Sequence, residues 1–279
     1  RQALQSCPVD AVDLVEAQAT AYQNAIDYDF RDPLAAGEAL VDQPRLFDFG
    51  LDETGTGEPE RNFAVEAPAG AWSVTALRGA SDDFTLALYG HESQLDASLI
   101  TTSVRPGQLA EFVALDRGIA SGSSIGLWPQ VRLAGWGAGI DPASTFDIEC
   151  ISSEQLPKGG AKIVEDFTET HFVAAYTLEV TKHDPVGVVA VPKNNSGQEL
   201  EVLVVPPGMD VASASTAGVM ASGNGGKDVS AGVSFQAQTD GVYLIIIINS
   251  GEPGTITLAV DTTPPVGAVD HLWFTSSVP

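Results

Sequence analysis

Four histidines, two cysteines and a large excess of carboxylates are the groups in this chain that could do chemistry. The histidines, His91, His171, His183 and His271, are far apart in the sequence. None stands in a His-x-x-x-His or Glu-x-x-His pattern on a helical stretch, which excludes the helix-borne zinc motifs. No Gly-x-Ser-x-Gly elbow stands on a strand-to-helix turn, and no strand–helix alternation is present to carry one. The stretch Ser222-Gly-Asn-Gly-Gly-Lys227 holds a lysine but lacks the spacing of a phosphate-binding loop, so it reads as a plain loop. Each histidine therefore reads as a surface or edge residue. A converging pair of carboxylates, the equipment of an acid-pair hydrolase, has no signature in linear spacing and stays open as an alternative.

Two acidic groups stand out. Asp82 and Asp83 open a strand after a turn, and Asp52 and Glu53 lie in the segment before the first core strand. Ca²⁺ takes six to eight oxygens from carboxylates, carbonyls and water, a set that loops between strands can supply. These four residues are the candidate Ca²⁺ ligands and Ca²⁺ the candidate cofactor, against the plainer reading of acids at turns. The cysteines, Cys7 and Cys150, stand before the first strand set and at its end. A bridge would tie the N-terminal segment to a closing strand and imply an oxidising compartment; two separate buried thiols are the alternative. Trp128 and Trp136 are candidate ligand-contacting aromatics.

Composition narrows the partners. The net charge is −24, from 37 acidic and 13 basic residues among 279. Phosphate backbones need a basic footprint, so nucleic acid is excluded as a partner. No apolar run is long enough to span a membrane as a helix; the strongest, Leu244 to Ile248, is far too short. The chain starts with Arg, as it would after removal of a secretory leader or after trimming. An acidic surface suits a saline, extracellular setting, where screening mutes self-repulsion.

The elements that must position these residues are strands. Short runs with alternating apolar residues, cut by Gly, Pro, Asn and Asp, occur in two successive sets. The expectation is an all-β chain of two tandem antiparallel β-sandwiches of jelly-roll type. An N-terminal arm covers 1–43, the first sandwich 44–151, a linker 152–160, the second sandwich 161–261 and an apolar tail 262–279. In the arm, Val12, Val15, Tyr22 and Ile26 recur at helical spacing behind early acidic residues, which predicts a helix over about 10–26. In the tail, Leu272, Trp273 and Phe274 are too apolar to stay in water without a docking site. Both sets are the expected assembly contacts, by docking or by strand addition to an open sheet edge.

The strand sets resemble the bacterial pre-peptidase C-terminal domain family. The first carries Pro-Ala-Gly before Trp72-Ser-Val, then Asp82-Asp-Phe-Thr-Leu-Ala-Leu-Tyr-Gly90; the second carries Thr239-Asp-Gly-Val-Tyr-Leu followed by Gly254-Thr-Ile-Thr-Leu. The resemblance spans roughly 60–151 and 170–261. In the second set Gln198-Glu199 stands where the first has Asp82-Asp83, and Leu244–Ile248 is apolar enough to be buried on both faces. The resemblance implies non-catalytic accessory modules of secreted or surface proteins. The leading expectation is a secreted, non-enzymatic structural protein that assembles with copies of itself, or with surface proteins, through its termini and sheet edges, at the cell surface or in a filament. A carbohydrate- or protein-binding accessory module is the alternative, and an acid-pair hydrolase the second.

Overall fold

The computed structural model describes residues 33–39, 60–62, 65–67, 70–79, 84–90, 98–105, 109–116, 125–133, 145–193, 196–213 and 221–262. Every regular element among them is a strand. The chain forms two compact units, one of residues 1–152 with 213–216, the other of 153–212 with 217–279. No helix among the described residues is long and apolar enough to cross a membrane.

In the first unit the strands are β1 (Pro33–Ala39), β2 (Glu60–Asn62), β3 (Val65–Ala67), β4 (Trp72–Gly79), β5 (Phe84–Gly90), β6 (Ser98–Ser103), β7 (Glu111–Asp116), β8 (Ile125–Leu133) and β9 (Thr145–Ser152). One sheet runs β2-β8-β5-β6, with β3 also on β8. The other runs β1-β9-β4-β7; β15 is Val211–Ser213. Leu77, Val113, Phe146, Ile148 and Cys150 from the second sheet meet Phe84, Leu86, Leu88, Leu127 and Val131 from the first in one core. Phe84 and Phe146 pack edge to face with centroids 5.6 Å apart. The alternate residues of the β4 sheet, Val74, Ala76, Phe112 and Ala114, are buried as well, so this sheet has no solvated face there.

In the second unit the strands are β10 (Glu154–Gln155), β11 (Gly160–Phe167), β12 (Val173–Val180), β13 (Pro185–Pro192), β14 (Leu200–Val205), β16 (Ala221–Asn224), β17 (Ala231–Gln236), β18 (Gly241–Asn249) and β19 (Gly254–Asp261). Two sheets, β10-β12-β18-β14-β16 and β11-β19-β13-β17, enclose the core. Tyr176, Leu178, Val202, Val204, Tyr243, Ile245 and Ile247 point in from the first, and Val186, Val188, Ile256, Leu258 and Val260 from the second. The other face of the β18 sheet, with Leu203, Leu244, Ile246 and Ile248, is also buried. Each such side chain contributes roughly 1.5–3 kcal/mol, which is what the unbroken Leu244–Ile248 run is for. The β19 sheet differs: its strands alternate, and its outer residues are at least partly exposed.

Three of the expectations touch described residues. Cys150 is fully buried in the first core with Sγ 2.9 Å from Thr75 Oγ1, and it has no disulfide partner among the described residues. Cys7 lies outside the described residues. Burial pushes the Cys150 pKa up to about 12, with the Thr75 hydrogen bond opposing, so the group is a neutral thiol. The expected arm contains a strand: β1 pairs antiparallel with β9, placing Ala35 opposite Ile148. The expected linker contains β10, which adds to β12 in parallel. The predicted helix over 10–26 lies outside the described residues.

Candidate functional site

Partly exposed titratable side chains converge on the flank formed by β11 and the turn into β12. Tandem glycines set up the strand. Gly159 and Gly160 both have positive φ, 96° and 102°, and a Cβ on Gly160 would lie 2.0 Å from the Val260 carbonyl oxygen. Only glycine lets the chain enter β11 this close to β19. Along β11 the inward residues are Ala161, Ile163, Glu165 and Phe167, the first two packed against the core. The outward ones include Lys162, Val164 and Asp166, all exposed, Val164 to 58%.

Glu165 is a carboxylate at a position where the alternation calls for an apolar residue. Two partners make that tolerable. The Tyr176 hydroxyl, reaching out from the core, donates to Glu165 Oε2. His171 Nε2 lies 3.1 Å from Glu165 Oε1, in the turn that joins β11 to β12. The side chains of His171 and Glu165 are 34% and 22% exposed. Thr168 holds the turn: its Oγ1 accepts from the backbone N–H of His171 at 3.0 Å and of Thr170 at 3.3 Å. The Phe167 and His171 rings sit 5.7 Å apart. On the outer side Thr255 Oγ1 donates to Asp166 Oδ1 at 2.5 Å.

The electrostatics follow from these contacts. The His171 hydrogen bond, helped by that of Tyr176, holds the Glu165 carboxyl below its usual range, against burial and the neighbouring Asp166 charge. Burial first, then the bond to Glu165, pushes the Tyr176 hydroxyl up well beyond its ordinary value. Glu165 is thus an anion with both oxygens engaged, and Tyr176 a neutral donor. Such a set clasps the edge strand to the opposite sheet. It offers neither an activated nucleophile nor an available base.

A second polar cluster lies in the first unit. Glu111, only 2% exposed, accepts from Arg105 N–H at 2.6 Å on Oε1 and from Ser103 Oγ on Oε2. Ser103 Oγ in turn accepts from Phe112 N–H at 3.3 Å, and Arg105 Nη1 donates to the Ala110 carbonyl at 2.9 Å. This set staples β6 to β7. Arg78 and Asp147 pair at 2.8 Å across β4 and β9.

Of the residues singled out in the sequence, Cys150 lies in the first core as described. Trp128 is on β8 opposite Tyr89, with its side chain outside the described part. Asp52, Glu53, Asp82, Asp83, Trp136, Val12, Val15, Tyr22, Ile26, Leu272, Trp273 and Phe274 lie outside the described residues. Among the described residues, no group of three or more His, Cys, Asp or Glu is placed to hold a metal ion. The cluster of Glu165, His171 and Tyr176 was not anticipated. Its one signal was Glu165 itself, an acid at an inward position between Ile163 and Phe167.

No protein-family model matches the chain, and comparison with curated proteins gives no match. Among solved structures, the pre-peptidase C-terminal domain of a collagenase from Bacillus anthracis is similar at 15% identity, over 39% of this chain and 96% of that one, with a TM-score of 0.31. The periplasmic g-type lysozyme inhibitor PliG of Aeromonas hydrophila is similar at 20% identity, over 39% and 95%, with a TM-score of 0.29. The tandem CBM22 domains of Xyn10C from Paenibacillus barcinonensis are similar at 8% identity, over 72% and 82%, with a TM-score of 0.23. The family that the sequence resembles is thus represented among them. At these scores the likeness carries no conclusion about ligands, partners or activity.

Proposed function

We propose that this chain is a non-enzymatic structural protein of the extracellular space or cell surface that joins with copies of itself through sheet edges and chain ends. The observation that carries the reading is β11. It is an eight-residue strand at the end of its sheet, with an exposed outer face and one flank that no other described strand pairs with. Free edges pair with other strands unless something blocks them. The side chains behind this edge support a scaffold role, since Glu165, His171 and Tyr176 spend their polar atoms on one another. The acidic balance of the whole chain fits a saline exterior, where charges are screened. The apolar tail residues Leu272, Trp273 and Phe274, and the arm residues Val12, Val15, Tyr22 and Ile26, would add further contacts.

Sedimentation velocity over a wide concentration range, with Ca²⁺ and with a chelator, tests this reading. Concentration-dependent association that weakens when 263–279 is removed is the expected result. A chain that stays monomeric throughout overturns it, and Ca²⁺-dependent association would bring Asp52, Glu53, Asp82 and Asp83 into play.

A further inference from the structure

The flank of β11 that no other described strand pairs with has a definite hydrogen-bonding parity and a charge order, and together these select a partner. The Thr262 N–H bonds to the Gly159 carbonyl at 3.3 Å, in register with the pairing of Gly160 opposite Asp261. In an antiparallel ladder, hydrogen-bonded pairs alternate with non-bonded ones. Gly159, Ala161, Ile163 and Glu165 therefore direct their backbone groups at β19, and Lys162, Val164 and Asp166 direct theirs outward, away from the sheet. The Lys193 N–H bond to the Thr255 carbonyl, at 2.9 Å, gives the same parity on the far side of β19. The outward groups belong to the residues whose side chains are exposed: lysine, valine, aspartate.

This order is self-complementary when read backwards. We propose that β11 pairs antiparallel with β11 of a second copy, centred on Val164, so that Lys162 of each copy faces Asp166 of the other. The inference rests on the self-association proposed above and names its strand and register. The partner's strand brings outward groups on the same alternate residues, so each facing pair is a hydrogen-bonded one and exchanges two backbone bonds. Val164 meets Val164 between two lysine–aspartate pairs on the exposed face. Opposite charges directly across a ladder favour pairing, and like charges oppose it. Centring on Lys162 would set lysine against lysine, and centring on Asp166 aspartate against aspartate. An odd offset would set the free groups of one strand against residues that have none to give. The contact is isologous, as a two-fold axis requires, and joins two four-stranded sheets into one continuous sheet.

The opposite edge of the same sheet is approached at one end. The β17 strand is backed by β16, where a Cβ on Gly223 would lie 2.1 Å from the Gly232 carbonyl oxygen. Of the two described edge strands of this sheet, β11 is the longer, eight residues against six for β17. A lysine in mid-edge usually repels pairing; here it also discriminates between registers, because Asp166 lies four residues away on the same face.

The test uses the full chain, with melting temperature as a control for folding. Val164→Pro removes an outward N–H and is expected to abolish the dimer in sedimentation while leaving the melting temperature nearly unchanged. Lys162→Asp and Asp166→Lys singly are expected to weaken dimerisation roughly tenfold, and the double exchange to restore it. With Cys7→Ser, Val164→Cys is expected to give an oxidised dimer, since facing Cα atoms about 5.5 Å apart are within disulfide reach, and Lys162→Cys is not. A dimer that survives Val164→Pro overturns the inference but leaves self-association standing. Failure of the double exchange to restore pairing overturns the register. A chain that is monomeric under all conditions overturns both the inference and the proposed function.

Discussion

Glu111 and Glu165 are carboxylates at inward strand positions, and the two units treat them differently. Glu111 is sealed in and is met by a backbone N–H and a serine hydroxyl, both from the neighbouring β6 and the turn after it. Glu165 keeps a window to solvent and is met by a tyrosine from the opposite sheet and a histidine from its own turn. Both join one layer to the other; the first is a sealed staple whose partners are a neutral hydroxyl and a backbone N–H. The second is a clasp whose strength depends on the protonation of its members. Buried anions cost much to strand, and half-open ones cost little.

The largest effect that follows is at Glu111. Its replacement by alanine leaves the Arg105 N–H and the Ser103 hydroxyl buried without their acceptor, and should cost about 3 kcal/mol in urea unfolding of the first unit. A loss below about 1 kcal/mol would mean that the two carboxylates are equivalent after all. Next comes Tyr176→Phe, which deletes one bond of the clasp and should cost about 1 kcal/mol at neutral pH. That variant should also abolish a pH effect. The folded Tyr176 hydroxyl has a raised pKa, so its contribution is fully present below the unfolded value near 10 and is lost as pH rises beyond it. Wild type should therefore lose stability at alkaline pH more steeply than Tyr176→Phe, as read by circular dichroism.

His171→Ala should do less, below about 1 kcal/mol, because the pair is a third open to solvent. Its signature is on the acid side. Glu165 has a lowered folded pKa, so its contribution is present above the unfolded value near 4.3 and disappears as pH falls through the folded one. The gap between wild type and His171→Ala should close as pH is lowered through that range; a gap that persists to strong acid would assign His171 a packing role. The smallest expected change is none at all. In a Cys7→Ser chain the Cys150 thiol, buried and shifted to about 12, should resist a thiol reagent at pH 8 until denaturant is added. Ready labelling of the folded chain would show that the first core opens more easily than the second.

How far the sequence reached differs between strands. The β18 run Leu244–Ile248 announced burial on both faces, because no alternating pattern interrupts it, and all five residues are buried. The β11 stretch was not singled out among the strand runs, and it is a strand whose burial alternates. The place of Cys150 at a strand end suited a bridge, and local spacing did not show that its parity in β9 points Sγ into the core beside Thr75. The β1 strand was hidden in a segment read for its helical spacing further upstream, because three of its seven residues are Ala and its partner β9 is over 100 residues away. The clasp was invisible for the same reason: Glu165 and Tyr176 are eleven apart and lie in different sheets.

Alternation and turn residues, which act within a few neighbours, were enough to determine an all-β chain, its strand periods and its strongly acidic surface. Which strands become edges, which inward acid finds a hydroxyl and which cysteine is buried were decided by the layering of the sheets. Those outcomes depend on pairings between residues far apart in the chain, and local spacing carries no record of them.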